Sequence, residues 1–381
     1  MKLILDSAEL TTALRLVARR VPTRPAVPVL AGMKLTASGE TLTLAAYDFS
    51  VSARAEVPAA VREAGTVVIP GRALRDLART LPKDGTVDLT VEFGRAHLSF
   101  AQTRVSIPVL PADEYPTLPD PAPAPATLTG RDFAAAVHQV AMAAGTDETL
   151  PILTGLRLEL SGHQLQLAAT DRYRVAYREL PFEGTGRRTP QSVVVPAKAF
   201  ADTAWGLRRA DTVTLALPRT EDQPLTLAAD GVSFTHKPLD GGSYFPKLRP
   251  FLPTEFATTL TVATRPLVDA LNRIELVGER NVPVHLHADP AGQLLIRSGS
   301  SDITQLTDRI DGCAIEGEEM RIAFNPRFLL QGLRALKCRT VQVNLVSPYK
   351  PALLHDAAAD RAALRYLLMP IHIKEGDTAA N

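Results

Sequence analysis

Five basic side chains occupy one equivalent position in a set of six amphipathic segments, two residues before the first apolar residue of each. They are Arg72, Arg131, Lys198, Arg265 and Arg327, and the sixth segment has Ala8 there. Basic residues in the first turn of a helix oppose the helix dipole at a cost of about 0.5 kcal/mol each, so helix stability alone favours acids. Five cations therefore indicate an anionic partner, because an arginine beside helix N–H groups forms a phosphate site.

A second polar position in the same segments carries Arg15, Arg79 and Arg334, with His138, Trp205 and Asn272 in the other three. For any single residue, a solvated helix face is the simpler interpretation. The whole set predicts a broad phosphate-contacting surface that is blind to base sequence and whose affinity decreases with salt.

Residue patterns that would support catalysis are weak. His285 and His287 alternate along a predicted strand and could bind a metal, but the pair has no evident carboxylate partner, and surface residues are the more frequent explanation. Asp48 and Asp171 each end a strand, which is typical of turn residues. The sequence contains no GxSxG, HExxH or GxxxxGK(S/T) motif. We therefore predict no catalytic residue, no metal site and no cofactor.

The six segments belong to a threefold internal repeat. The first helix of each copy has an apolar stripe at i, i+3, i+4 and i+7, starting at Leu10, Phe133 and Leu267, and the second has a similar stripe starting at Leu74, Phe200 and Leu329. Flanking motifs such as VPVLAGMKL from Val27 and LPILTGLRL from Leu150 recur at offsets of roughly 123 and 131 residues. The sequence therefore predicts three copies of one supersecondary pattern.

Alternating strands surround these helices in the order strand, helix, three strands, twice in each copy. The predicted fold is α+β, with three repeated domains at 1–121, 127–251 and 255–374, each of two βαβββ halves. Pro-rich connectors after Asp113 and Ser243 separate the domains, and a polar tail follows at 375–381. We expect the antiparallel sheets to form the outer side of the domains and the helices the inner side. The basic helix faces would then share one surface.

Composition limits the function. The net charge is +1, from 42 basic and 41 acidic residues, which excludes a uniformly basic coat but allows a segregated basic surface. Acids must then lie elsewhere, as in the loop at Glu221 and Asp222 and in residues 316–319. Aromatics amount to 5%, too few for a protein that binds single strands mainly by base stacking.

The two cysteines and the apolar runs predict the compartment. Cys313 and Cys338 lie far apart in no metal-binding spacing, so we expect two buried small hydrophobic residues without a disulfide. No apolar run approaches the ~20 residues of a membrane span, and residues 1–6 lack a signal-peptide pattern. The chain is expected to be cytoplasmic.

Over nearly its whole length the sequence resembles the beta subunit of bacterial DNA polymerase III, the DNA sliding clamp, in an actinobacterial form. The resemblance is carried by RPAVPVL at Arg24, LPILTGLRL at Leu150, AATDRYRVA at Ala168, VVVPAKAF at Val193, YFPKLRPFLP at Tyr244, IAFNPRFLLQGL at Ile322, SPYKPALL at Ser347 and YLLMPIHI at Tyr366. It implies a non-catalytic processivity factor, a head-to-tail homodimer that closes into a ring around duplex DNA. The implied partners are the polymerase III alpha subunit, the clamp loader, other polymerases and repair factors, bound through short linear peptides.

The resemblance also implies site residues. Arg24, in a loop of the first domain, and Arg209 would join the eight basic helix residues in contacting DNA. A peptide groove between the second and third domains would comprise Leu153, Thr170, Arg172, Tyr173, Arg174, Val175, Pro246, Pro250, Phe251, Asn325, Phe328, Tyr349, Pro351, Leu367, Leu368, Met369, Pro370 and Ile371.

Two departures from the family pattern leave alternatives open. Pro250 and bulky Phe251 stand where many relatives have a polar residue at the groove rim, and Pro250 removes a backbone donor. Asp147 and Glu148 would meet phosphate unfavourably in a loop that approaches DNA in the family. A scaffold that binds peptides but not DNA, and a specialised extra clamp that resists a groove-binding inhibitor, remain as alternatives.

Overall fold

The computed structural model describes residues 1–122, 126–220, 223–277, 282–299, 305–358 and 363–372. The loop acids Glu221 and Asp222 and the predicted polar tail lie outside these ranges. The chain divides into two compact units. Unit 1 comprises Met1–Phe133, Glu183–Thr185 and Asp202–Pro238, and unit 2 comprises Ala134–Phe182, Gly186–Ala201 and Leu239–Asn381.

The first repeat has the predicted order of strand, helix and three strands, twice over. Its elements are β1 (Lys2–Asp6), α1 (Ser7–Val17), β2 (Gly32–Ser38), β3 (Thr41–Tyr47), β4 (Val51–Glu63), β5 (Gly65–Pro70), α2 (Gly71–Leu77), β6 (Thr86–Glu92), β7 (Arg95–Phe100) and β8 (Thr103–Pro108).

The second and third repeats keep this order, and each adds one short strand. The second has β9 (Ala126–Leu128), α3 (Gly130–Ala141), β10 (Gly155–Gly162), β11 (Gln164–Thr170), β12 (Arg174–Pro181), the added β13 (Glu183–Gly184), β14 (Arg187–Pro196), α4 (Ala197–Gly206), β15 (Val213–Ala216), β16 (Leu225–Ala229) and β17 (Val232–His236). The third has β18 (Thr258–Ala263), α5 (Thr264–Val277), β19 (Val284–Asp289), β20 (Gln293–Ser298), β21 (Leu306–Asp311), the added β22 (Ala314–Gly317), β23 (Met320–Phe324), α6 (Pro326–Leu336), β24 (Thr340–Leu345), β25 (Ala352–Asp356) and β26 (Arg365–Leu368). The predicted α+β fold of βαβββ halves is confirmed.

The helices form where their apolar stripes can be buried. Every residue of the predicted stripes is buried, as the 3.6-residue period requires of a helix packed on one face. Helix α1 begins after Asp6, whose side chain accepts hydrogen bonds from the N–H groups of Ala8 and Glu9. Helix α2 ends at Leu77 and is shorter than its stripe, but Leu81 remains buried from the following turn.

Strand pairing joins one repeat to the next within each unit. In unit 1, β4 pairs antiparallel with β17 of the second repeat, with Val51 opposite His236. In unit 2, β12 pairs in the same way with β26 of the third repeat, with Arg174 opposite Leu368. Each compact unit therefore contains parts of two repeats, because continuous backbone hydrogen bonds join the paired strands of neighbouring repeats.

A buried histidine lies at the junction in unit 1. His236 has no exposed surface, and beside it the hydroxyl groups of Ser52 and Thr235 are 2.6 Å apart. Burial and, second, the charge of Arg20 lower the pKa of His236 to about 3. His236 is therefore neutral in the folded protein at all but strongly acid pH.

The junction in unit 1 is expected to be acid-labile. In the unfolded chain His236 takes up a proton near pH 6.5, whereas the folded protein resists it until about pH 3. Below pH 6.5 the unfolded state binds more protons than the folded state. The free energy of unfolding should therefore decrease by up to about 1.4 kcal/mol for each unit by which the pH is lowered.

Thermal unfolding followed between pH 5 and 7 tests this expectation. His236→Leu, which introduces the residue found opposite Arg174 at the other junction, should flatten the pH dependence. An unchanged slope in that variant would assign the acid lability to other groups.

Candidate functional sites: basic helix faces and an apolar groove

The predicted basic residues of unit 1 are exposed, on helices and in the turns beside them. Arg72 on α2 and Arg79 in the turn after it have 94% and 76% of their side chains exposed, and each lies 4.0 Å from Asp76. Such exposed ion pairs are weak, so these cations remain available to an external anion. Four further predicted residues are also exposed: Arg15, Arg24, Arg131 and Arg209.

In unit 2 the basic residues lie on α4, α5 and α6. Lys198 and Arg327 are exposed in the first turns of α4 and α6, and Arg265 is 94% exposed on α5. Helices α5 and α6 pack together, and the Arg334 guanidinium on α6 donates a 2.7 Å hydrogen bond to Asn272 Oδ1 on α5. This bond fixes Arg334 between the polar faces of the two helices.

Besides helix carboxylates such as Asp76 and Asp269, acidic residues lie on strands and loops. Glu316, Glu318 and Glu319 are exposed on and beside β22, as the balanced net charge requires. In the loop before β10, hydrogen bonds from the side chain and then the backbone of Thr149 lower the pKa of Asp147. Asp147 therefore stays anionic and gives this loop the opposite charge to Arg24.

The start of β12, the end of β26 and the chain that follows form one side of the predicted groove. Leu367 and Leu368 are buried in β26, and the N–H of Met369 donates a 2.9 Å hydrogen bond to the carbonyl of Tyr173. Further on, the N–H of Ile371 donates to the carbonyl of Ala323 at 2.8 Å. The LMPI segment is thus held by backbone hydrogen bonds on both sides.

Apolar side chains line this groove with unusual exposure. Five of the ten exposed large apolar residues in the described chain lie in the segments that form it, namely Tyr173, Tyr244, Phe251, Tyr349 and Met369. The rings of Tyr173 and Phe328 have centroids 6.3 Å apart. Concentrated exposed apolar surface marks a binding site.

Arg174 is buried among the residues of the predicted groove. It is 7% exposed, its Nε is 2.8 Å from Asp171 Oδ2, and its guanidinium lies 4.4 Å from the centre of the Phe328 ring. Its Nη1 also donates to Gln331 on α6. The sequence predicted Arg174 as a groove residue but gave no signal for Gln331, because their contact spans 157 residues.

Tyr366 on β26 packs against α6 and is hydrogen-bonded to it. Its hydroxyl donates a 2.9 Å hydrogen bond to the carbonyl of Phe328, and its ring is fully buried. A Cβ atom placed on Gly332 would lie 2.3 Å from that ring. Only glycine permits this approach at position 332.

Other predicted groove residues have structural partners. Thr170 is buried, and its hydroxyl donates to the carbonyl of Arg174 at 2.7 Å. Asn325 caps α6 by accepting hydrogen bonds from the N–H groups of Arg327 and Phe328. The remaining predicted residues are Leu153, Val175, Pro246, Pro351 and Ile371, which are half-buried, Pro370, which is buried, and Arg172, which is exposed with a φ of +81°.

Pro250 and Phe251, the predicted groove rim, are exposed in unit 2. They lie in a short 3-10 helix, Arg249–Phe251, and Phe251 is 65% exposed. Phe251 also lines a cavity of about 340 Å³ together with Glu255, Lys350 and Pro351. The rim therefore adds apolar surface and two opposite charges beside the groove.

Two minor expectations differ from the structure. His287 does have a carboxylate partner, since its Nε2 is 2.7 Å from Glu319, which also pairs with Arg321; the expectation of none was wrong. Cys313 is buried, but Cys338 is only half-buried because it lies in the loop after α6. Among the described residues, no group of three or more His, Cys, Asp or Glu side chains could hold a metal.

Asp48 and Asp171 are turn residues, as their recurrence predicted. Asp48 Oδ1 accepts hydrogen bonds from the N–H groups of Ser50 and Val51. Asp171 Oδ1 accepts from those of Tyr173 and Arg174 in the same geometry. The two turns differ in one respect, because Asp171 also pairs with the Arg174 guanidinium, whereas valine stands at the equivalent position after Asp48.

Three repeats of two βαβββ halves, with exposed cations on their helices, define a protein of the DNA-clamp class. The chain belongs to the DNA polymerase III beta subunit family, since the sequence models of its N-terminal, central and C-terminal domains match residues 1–119, 127–247 and 249–372. No helix in the described ranges is long and apolar enough to span a membrane.

Relatives match the chain over almost its full length. It is 40% identical to the beta sliding clamp of Streptomyces coelicolor, covering 98% of this chain and 100% of the relative. It is also 40% identical to the beta sliding clamp homolog GriR of Streptomyces muensis, covering 93% of this chain and 95% of the relative.

Solved structures agree with the fold. The crystal structure of the Bacillus subtilis sliding clamp matches with a TM-score of 0.89 at 25% identity, over 98% of this chain and 100% of that one. A Pseudomonas aeruginosa sliding clamp bound to griselimycin matches with a TM-score of 0.88 at 24% identity, with the same coverage.

Replacing Asp171 by alanine should damage the groove more than the same change at Asp48 damages its own turn. Asp48→Ala removes two hydrogen bonds to backbone N–H groups, a loss of about 1–2 kcal/mol. Asp171→Ala removes the same two bonds and leaves the buried Arg174 without its carboxylate, which costs about 3–5 kcal/mol.

Amide hydrogen exchange compares the two sites locally. Exchange should accelerate strongly in β12 and β26 of Asp171→Ala and only weakly in β4 and β17 of Asp48→Ala. Equal effects would show that the ion pair adds nothing to the turn.

Proposed function

We propose that the chain is a DNA sliding clamp that acts as a non-catalytic processivity factor, encircling duplex DNA as a ring of two copies and tethering the replicative polymerase. The observation that carries the proposal is the recurrence of exposed cations at equivalent positions of repeated helices, Arg72, Arg131, Lys198, Arg265 and Arg327. Membership of the beta subunit family supports it. We propose domain boundaries at 1–121, 127–251 and 255–374.

The DNA contact follows from the chemistry of these helix faces. Backbone N–H groups and long basic side chains contact phosphates and ignore base identity. Because the ion pairs with Asp76 and Asp269 are long and exposed, little attraction within the protein has to be broken before phosphate binds. Such contacts hold a duplex without fixing its register, which is what sliding requires.

Charge reversal tests the DNA contact. Arg72→Glu, Lys198→Glu and Arg327→Glu combined should abolish retention on a closed circular duplex without unfolding the protein, because all three side chains are exposed. With two copies in the ring, the slope of log affinity against log salt should decrease by up to about 5.

The control is a triple variant with the same change in charge at exposed residues outside the predicted DNA-contacting set, Arg62→Glu, Arg219→Glu and Arg321→Glu. The assay loads the protein with a clamp loader and then linearises the circle, which should release the wild-type protein. Wild-type protein that binds peptides but is never retained on the circle would favour a peptide-binding scaffold. Equal retention of both triple variants would contradict the assignment of these helices.

Strands β8 and β21 are two of the sheet edges available for pairing with a second copy. Within the described residues, β8 in unit 1 pairs only with β7, and β21 in unit 2 pairs only with β20. Leu276, on α5 beside β21, is 85% exposed. An unpaired strand edge next to an exposed leucine favours association, and pairing of β8 with β21 of another copy would make a head-to-tail contact.

Leu276→Asp should therefore convert the dimer into monomers. A buried charge at such a contact weakens association by several kcal/mol, which corresponds to a dissociation constant raised at least about a hundredfold. Phe49→Asp, at an exposed aromatic residue in the β3–β4 turn, serves as the control. Analytical ultracentrifugation measures the result, and a dimer that survives Leu276→Asp would place the contact elsewhere.

The groove fits short peptides with hydrophobic anchors. Exposed apolar side chains supply the contact area, and the flexible Met369 can adapt to different anchors. We propose that polymerase subunits, the clamp loader and repair factors bind there through such peptides.

A specialised clamp with an altered groove rim is the second candidate function. The exposed Phe251 and the Pro250 ring, which offers no N–H, favour a groove that excludes a ligand accepted by other clamps. A Pseudomonas aeruginosa clamp has been crystallised with griselimycin, which makes this compound a suitable probe.

Restoring a small polar residue at the rim tests this candidate. Pro250→Ser should bind griselimycin at least about tenfold more tightly than the wild-type chain, corresponding to about 1.4 kcal/mol. Pro121→Ser, at an exposed proline of the preceding connector, should leave the affinity unchanged. Equal affinities of Pro250→Ser and wild type, measured by calorimetry, would remove the case for resistance.

A further inference from the structure

The only tryptophan of the sequence lies among the predicted DNA-contacting residues. Trp205 is in the last turn of α4 and 43% exposed. Its position in the repeat is the one that carries Arg15, Arg79 and Arg334 in other helices. An indole in place of a phosphate-binding cation changes the chemistry offered to DNA from charge to ring stacking.

An arginine holds the indole in place. The guanidinium of Arg208 lies 4.7 Å from the centre of the Trp205 ring, and its Nη1 donates a 2.8 Å hydrogen bond to the Trp205 carbonyl. The hydrogen bond satisfies a carbonyl at the C-terminal end of α4, where the helix dipole would otherwise repel an anion. The cation on the ring adds a site for phosphate beside the stacking surface.

Arginines outnumber acids around Trp205 in unit 1, where the exposed acids close in sequence are Asp202 and Asp211. Arg209 follows directly and is exposed. The end of α4 also lies next to α1, since a side chain added at Gly206 would contact Leu16 at 3.7 Å. Helix α1 presents Arg15, and Arg19 follows in the next turn, both exposed. An aromatic ring within a group of arginines matches the composition of single-strand binding sites.

We propose that Trp205 and Arg208 form a stacking site for one unpaired base of single-stranded DNA, with the neighbouring arginines holding its phosphates. Bases inside a duplex are already stacked on their neighbours and offer no free ring face, so an unpaired base is the ligand that an indole can add to phosphate contact. The low aromatic content argues against binding an extended single strand but allows one such contact. The proposal rests on the proposed function in one respect, because a clamp on DNA that is being copied meets single strands beside the duplex.

The single tryptophan makes a direct test possible with the full-length protein. Its fluorescence should be quenched saturably by a twelve-nucleotide oligo(dT) and much less by a blunt duplex of equal length. Anisotropy of labelled oligo(dT) should show binding weakened at least about fivefold in Trp205→Ala and close to wild type in Trp205→Phe, which keeps an aromatic ring. Arg208→Gln should weaken binding in the same assay.

The outcomes separate this site from the clamp function. Absent quenching, equal quenching by duplex, or equal oligo(dT) affinity of the alanine and phenylalanine variants would each overturn the stacking site. A wild-type protein that binds oligo(dT) through Trp205 but is not retained on circles would refute the clamp function and leave the stacking site standing.

Discussion

Antiparallel pairing between neighbouring repeats is the constraint on which the rest of the structure depends. A strand edge that is left open exposes unpaired N–H and C=O groups, and each repeat would have such edges if it stood alone. Pairing of β4 with β17 and of β12 with β26 satisfies these groups and turns separate repeats into continuous sheets. The same pairing creates the groove, because the strand that follows Asp171 and the strand that precedes Met369 become neighbours only through it.

The sheets also determine what the helices can do. Each helix buries one apolar stripe, so its opposite face is left to solvent and is free to carry charge at little cost to the core. Basic residues can therefore outnumber acids on the helices, while further acids lie on strands and loops such as residues 316–319. A chain with a net charge of only +1 can in this way present a strongly basic surface.

Periodicity made most of the fold predictable from sequence. The stripes from Leu10, Phe133 and Leu267 report local geometry, which depends on residues three and four apart, and threefold recurrence removed the usual ambiguity of short apolar runs. Contacts between distant segments were not predictable in this way. The burial of Arg174 against Gln331 and the pairing of His287 with Glu319 depend on tertiary structure that no local pattern encodes. The strands β13 and β22 were also missed, because two and four residues are too few to show alternation.

The predicted functional residues also differ in whether a local sequence pattern identifies them. Exposed cations were predictable because solvent-facing positions of a helix are fixed by its own stripe. The groove needed the family resemblance, since its parts come from several segments between Leu153 and Ile371 that share no periodic pattern. Within it, the supporting role of Asp171 and the capping role of Asn325 appear only in the structure.

The close approach of Gly332 to the Tyr366 ring has a thermodynamic consequence for ligand binding. With no side chain at position 332, the α6 backbone lies directly on the ring of a β26 residue, and the hydroxyl of that residue is bonded to Phe328. These contacts hold Phe328 against the strand leading to Met369, so the proposed peptide groove would be shaped before a peptide arrives. Under the proposed function, little conformational entropy of the protein would be lost on peptide binding, so short and otherwise weak sequence motifs would bind with useful affinity and still exchange rapidly.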